Sequence, residues 1–167
     1  KLEYATTDNP FAGRVICGSC GQVFGRKVWN STDDRFRRVI WRCNGKYVKK
    51  GKKGCDSRHI DDEVLYQAFI SVFNVMIEKK DSFLGKWREQ LGSDNALVRY
   101  KAKQLIEIIA GAERVTEFDI ILYFAMVEKV IVYDGGRIIV TLFDGTDVEC
   151  EVKVKSDFGN NIAIHFL

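Results

Sequence analysis

Proline is nearly absent: Pro10 is the only one in 167 residues. No Pro-rich linker therefore separates autonomous domains, and neither an internal repeat nor a low-complexity segment is present. Long apolar runs are missing too. The longest, VLYQAFISVFNVMI, has 14 residues and contains Gln and Asn. A bilayer span needs about 20 apolar residues, so this run is a core helix and no membrane partner is expected. The chain opens KLEYATTDNP, without Met and without the apolar h-region of a secretory leader. That opening leads us to expect a cytoplasmic fragment of a longer protein. Histidine is scarce, at two residues. No nucleophile–base pair is recognisable among the serines and these histidines, so the piece is not expected to be an enzyme by itself.

What the chain does have is unevenly placed. Hydrophobic residues make up 46%, ordinary for a folded domain, and the net charge is only +3. Yet the segment from Arg14 to Arg58 holds 13 of the 26 Lys and Arg residues against three acids, a local charge of +10 that leaves −7 elsewhere. A basic module beside an acidic remainder is the footprint of a polyanion-binding unit.

The same segment holds four of the five cysteines. Without a secretory leader, reduced thiols are expected rather than disulfides. Cys17 and Cys20 form C-G-S-C-G, a turn that aims two thiolates inward, and Cys43 and Cys55 supply the second pair. Four thiolates close a tetrahedral structural zinc site and leave no position for a reactive water. His59 is an alternative fourth ligand to Cys55, and a thioredoxin-like redox pair is an alternative reading of the CxxC. Cys150, on one strand face with Val148 and Val152, reads as core. Residues 22–60 have few aliphatics, so metal binding, worth on the order of 10–16 kcal/mol in small zinc modules, would supply what their burial cannot.

The expected fold class is α+β: a zinc-stapled β-hairpin, several helices and a closing antiparallel meander. QVFGRKVWN and RFRRVIWRC flank the turn-forming STDD as a hairpin, with Val39, Trp41 and Cys43 on the metal side and Arg38, Ile40 and Arg42 on an arginine side. A helix begins near Asp61, where Asp61, Asp62 and Glu63 suit its N-terminus. KDSFLGKWREQL gives a second helix. A third starts at Ser93 or Asp94 and stops at Gly111. VTEFDIILYFAMVEK gives a fourth, with Thr116 and Asp119 in a capping-box pattern. KVIVYD, RIIVTLF and DVECEVK then read as three strands, and NNIAIHFL adds another. The domain boundaries expected are 1–60 for the ribbon, 61–127 for the helices and 128–167 for strands packing back on the same unit.

NPFAGRVICGSCG, the later W-R-C…C-x-x-R-x-I, and TEFDIILYFAMVEKVIVYDGGRIIVTLFDGTDVECE together resemble the C-terminal half of the large serine recombinases. The resemblance runs to about Val152. It implies a zinc-bearing domain that grips one half of an attachment site on double-stranded DNA during integration or recombination. The serine nucleophile of such enzymes lies in a separate N-terminal domain, so no catalytic residue carries over. Metal ligands carry over as Cys17, Cys20, Cys43 and Cys55. Many relatives insert a long coiled coil used for self-association; here only 35 residues lie between Lys80 and Thr116, without sustained heptads. A zinc-fixed hairpin suits a major groove, which places Arg26, Lys27, Arg38 and Arg42 near base edges and Lys49, Lys50, Lys52 and Lys53 on phosphates. An RNA- or protein-docking ribbon, or a redox-sensing dithiol, are the other function classes.

Overall fold

The hairpin read from the sequence forms as β2 (Phe24–Trp29) against β3 (Arg38–Cys43), and β4 (Ile60–Asp61) joins β3 to complete a three-stranded antiparallel sheet. The computed structural model describes residues 9–47, 51–152 and 164–165. Four helices follow β4: α1 (Asp62–Glu78), α2 (Lys80–Gln90), α3 (Ala96–Ala110) and α4 (Ile120–Met126). The chain closes with β5 (Val127–Val132), β6 (Arg137–Leu142), β7 (Asp147–Val152) and β8 (Ile164–His165) as an antiparallel meander. The class is mixed α+β.

One strand has no counterpart in the sequence reading. Residues Val15–Cys17, β1, pair in parallel with β5, Val15 opposite Val130 and Cys17 opposite Val132. The second sheet therefore has five strands in the order β1-β5-β6-β7-β8. Arg14 secures the junction: its Nη1 donates to the Val127 carbonyl at 2.6 Å, and its guanidinium stands 5.1 Å from the centre of the Phe124 ring.

Helix α1 packs its Ala68, Phe69, Val72 and Phe73 stripe against β6 and β7, with alternate residues of β7 buried and Ile138 and Val140 to Leu142 of β6 buried. Cys150 is part of this layer. It is buried beside Val148 and Val152, with its Sγ 3.8 Å from the Ala68 carbonyl oxygen. Phe11 links the two sheets: its ring is 6.2 Å from Trp41 of the ribbon and 4.9 Å from Tyr123 of α4. At the other end, Trp87 of α2 donates to Asp144 Oδ2 at 2.9 Å, tying the α2–α3 hairpin to the β6–β7 turn.

Several boundaries differ from the sequence reading for identifiable reasons. Asn95, rather than Ser93 or Asp94, caps α3, accepting from the amides of Leu97 and Val98. Asp119 itself caps α4, so Thr116 lies outside the helix. That helix has only seven residues, because the β-branched run from Val127 finds partners on both β1 and β6. Asp61 precedes α1 without a side-chain cap bond; its carboxylate is held by Arg38 instead. Ile40, expected on an arginine side, is fully buried there.

Candidate metal centre and nucleic-acid interface

Two tight turns bring the thiols together. In the first, Cys17 ends β1, the Gly21 amide donates to the Cys17 carbonyl at 2.8 Å, and Gly21 takes a φ of 73°, a conformation that costs glycine little. In the second, Cys43 ends β3 and a 3-10 turn over Asn44–Lys46 follows. Gly45 is needed here for space, since a Cβ would lie 2.9 Å from Cys20 Sγ. The Cys55 amide donates to the Gly45 carbonyl at 3.0 Å, which returns the fourth thiol to the cluster after the basic loop.

The Sγ atoms of Cys17, Cys20, Cys43 and Cys55 all lie within 4.8 Å of one another. The Cys17–Cys55 and Cys20–Cys43 separations are 3.7 and 3.4 Å. Tetrahedral zinc with Zn–S bonds near 2.3 Å requires S···S edges of about 3.8 Å, so the four sulfurs fit one structural zinc. His59 is not in this group. Its ring lies 4.5 Å from that of Trp29, and its Nε2 is 3.5 Å from Arg38.

The thiols are electrostatically unequal. Burial opposes ionisation of Cys17, but the Ser57 hydroxyl and the backbone amides of Cys20 and Ser19 outweigh it and bring the group down to about 6. Burial, followed by the Cys20 thiol beside it, pushes Cys43 up to about 12. Such a set ionises in steps by itself, whereas a dication holds all four as thiolates. Ser57, which the sequence reading missed, is buried, and its Oγ lies 2.9 Å from both Cys17 Sγ and Cys55 Sγ. A hydroxyl two residues beyond a ligand cysteine was its only signal.

The cations divide by strand register. Lys27, Arg38 and Arg42 share one face of the hairpin; Arg26 is opposite Trp41 and belongs to the other. Arg42 and Lys27 flank the exposed Tyr47 ring at 5.3 and 5.7 Å, and among the described residues no carboxylate forms an ion pair with either. Tyr47 was also missed, although an aromatic between lysines in GKYVKK was the available signal. Arg38 is engaged: its Nε and Nη2 donate to Asp61 Oδ1 and Oδ2 at 3.0 and 3.2 Å. Of the loop lysines, Lys52 is exposed and Lys53 is 2.8 Å from Asp56, while Lys49 and Lys50 lie outside the described residues.

Residues 10–74 match the family model for the recombinase zinc beta ribbon domain. Neither a curated protein nor a solved structure matches the chain. The matched segment spans the four cysteines, the three-stranded sheet and most of α1, so the cysteine cluster and hairpin lie inside the region that is similar to that zinc ribbon. Among the described residues no helix is long and apolar enough to cross a membrane.

Proposed function

We propose that this chain is the DNA-binding C-terminal portion of a site-specific serine recombinase, holding one attachment half-site through its zinc ribbon. The match of residues 10–74 to recombinase ribbons carries the reading. The electrostatics support it, because a +10 segment surrounds a closed structural metal site rather than a reactive one. Zinc here would hold the hairpin in register, and strand cleavage would belong to the parent protein's catalytic domain. Self-association would likewise be a property of the full-length cytoplasmic recombinase.

Within this reading Arg42, whose guanidinium forms no ion pair with a carboxylate among the described residues, is the base-edge reader, and Lys27 beside it takes a phosphate. Lys49, Lys50, Lys52 and Lys53 follow the backbone. Arg38 serves chiefly to hold Asp61 at the start of α1, and reaches a base only by leaving it. Arg26, on the opposite face, contacts DNA only where the duplex wraps around the ribbon edge.

The test is binding to duplex DNA over a range of salt. Affinity should fall linearly on a log–log plot. Replacing Lys27 by Ala should flatten the slope by up to about 0.9, the value for one phosphate that is no longer neutralised, whereas Arg42→Ala should erode preference for one sequence over another. An unchanged slope would remove that face from the interface. Preference for an RNA duplex in direct competition would favour an RNA-docking ribbon instead.

A further inference from the structure

The tip of the hairpin differs in kind from the rest of the ribbon. Between Asn30 and Arg37 it carries two arginines and two aspartates, and they pair with each other. Arg35 donates through Nε and Nη2 to Asp33 at 3.1 and 2.9 Å. Arg37 lies 3.7 Å from Asp34. The tip is therefore close to neutral, while the remaining ribbon keeps the whole +10. A phosphate clamp would not be built with an acid for each cation.

What the tip presents is Phe36, 62% exposed. Single exposed apolar residues are common and by themselves mean little. This one, however, stands on a fixed platform. Its amide donates to the Asp33 carbonyl at 3.1 Å, and its own carbonyl accepts from Asn30 Nδ2 at 3.1 Å. The Asp33 amide in turn donates to the Asn30 carbonyl at 3.1 Å, and Asn30 takes a φ of 52° to make the turn. Both backbone groups of Phe36 are thus fixed, and the Arg35 guanidinium, 5.6 Å from the ring centre, stiffens its side. Ordering of the backbone therefore adds little to the cost of binding.

A two-stranded ribbon fits the major groove of B-DNA, and the apolar feature displayed there is the C5 methyl of thymine. Phe36 precedes the start of β3 at Arg38 and lies in the turn at the hairpin tip, away from the Arg42 end of the strand. Near Tyr47, Lys27 can hold a phosphate and Arg42 a base edge while a neutral tip enters between the phosphate walls. From the tip's neutrality, its fixed backbone and its exposed ring, we infer that Phe36 is a specificity-determining residue that reads a thymine methyl in the major groove. The inference rests on the DNA-binding reading above and adds to it the base feature recognised.

The experiment begins with the zinc-loaded protein selecting duplexes from a pool with a randomised centre. The enriched duplex is then resynthesised with each thymine replaced singly by deoxyuridine, which removes only the methyl. Wild type should lose about fourfold in affinity at one or two positions, the effect of one buried methyl. Phe36→Ala should bind the unmodified duplex more weakly by at least that factor and show no further loss with deoxyuridine at those positions. Phe36→Leu should retain part of the discrimination. Since the ring is exposed and far from the thiols, zinc content and thermal melting serve as controls that all three proteins are folded. Deoxyuridine losses that persist unchanged in Phe36→Ala, or none in wild type, would overturn the assignment while leaving DNA binding intact. Failure of wild type to bind any duplex at low salt would overturn the DNA reading and this inference with it.

Discussion

Replacing Ser57 by Ala removes one oxygen from the protein and leaves the backbone, including the Ser57 carbonyl that accepts from Lys46 Nζ at 3.2 Å, in place. The hydroxyl lies 2.9 Å from two sulfurs, Cys17 Sγ and Cys55 Sγ. Once both are thiolates they can only accept, so the single Ser57 proton is shared between two anionic acceptors. A hydrogen bond to a charged group is worth about 1.5–3 kcal/mol, and its loss leaves the buried Cys17 and the partly buried Cys55 thiolates with less to offset their charge. At about 1.4 kcal/mol per decade, zinc affinity should fall ten- to hundredfold, the range found for groups that orient metal ligands. Competition with a chromophoric chelator at fixed pH measures this directly. Ser57→Thr retains the hydroxyl and should recover most of the loss if its methyl is accommodated. Zinc binding by Ser57→Ala at wild-type affinity, with the loaded protein melting normally, would refute the assignment of the hydroxyl to the metal site.

The remaining expectations concern the same centre and its neighbours. Metal analysis should give one zinc per chain; Cys17→Ser should abolish it, whereas Cys150→Ser should keep it and cost about 1–3 kcal/mol in a denaturant melt, because the new hydroxyl is buried in an apolar layer. Gly45→Ala drives a Cβ to 2.9 Å from Cys20 Sγ and 3.3 Å from Cys43 Sγ, so chelator competition should show zinc affinity reduced on the order of tenfold or more. Acid should release the metal, since protons compete for every thiolate. Cys17, drawn down to about 6, is ionised at neutral pH before metal arrives, but Cys43, pushed up to about 12, gives up its proton only to the ion. Zinc affinity should therefore weaken steadily from about pH 8 to about pH 6, and a flat profile would contradict a four-thiolate site.

The parts of this fold legible in the sequence are those whose cause is local. C-G-S-C-G specifies its own turn, the alternation in RFRRVIWRC and DVECEVK specifies strand faces, and the α1 stripe specifies a buried side. Each depends on neighbours within a few residues. Strand β1 was not legible because three residues, VIC, carry almost no periodic signal. What makes them a strand is β5, more than 110 residues later in the chain. Asp61 illustrates a second limit. By position it suits a helix cap, but the Arg38 guanidinium is a stronger partner for a carboxylate than exposed amides are, and it takes both oxygens. At α4 two local preferences competed, a capping pattern at Thr116 and a β-branched run at its end; Asp119 took the cap and the sheet took the run. The second cysteine pair was intermediate. Its spacing was loose along the chain, and only the Gly45 turn shows how 11 intervening residues return Cys55 to the cluster.

The β1–β5 pairing also changes what the metal organises. Cys17 is at once the last residue of β1 and the first zinc ligand, so the thiol cluster grows directly from the end of the five-stranded sheet. The Gly18 amide donates to the Val132 carbonyl at 2.8 Å, and the Arg58 amide donates to Asp134 Oδ1 at 3.1 Å, so one half of the metal loop is bonded to the end of β5 and the other to the turn after it. On the other side Trp41 Nε1 donates to Asp62 Oδ1 at 2.6 Å and Arg38 holds Asp61, which anchors the hairpin to the first turn of α1. A hinge between ribbon and remainder would have to break bonds on both sides at once. The hairpin is thus presented in one orientation relative to α1 and the larger sheet. On the DNA-binding proposal, the −7 outside residues 14–58 would turn the remainder away from phosphate while the +10 of that segment would draw the ribbon toward it.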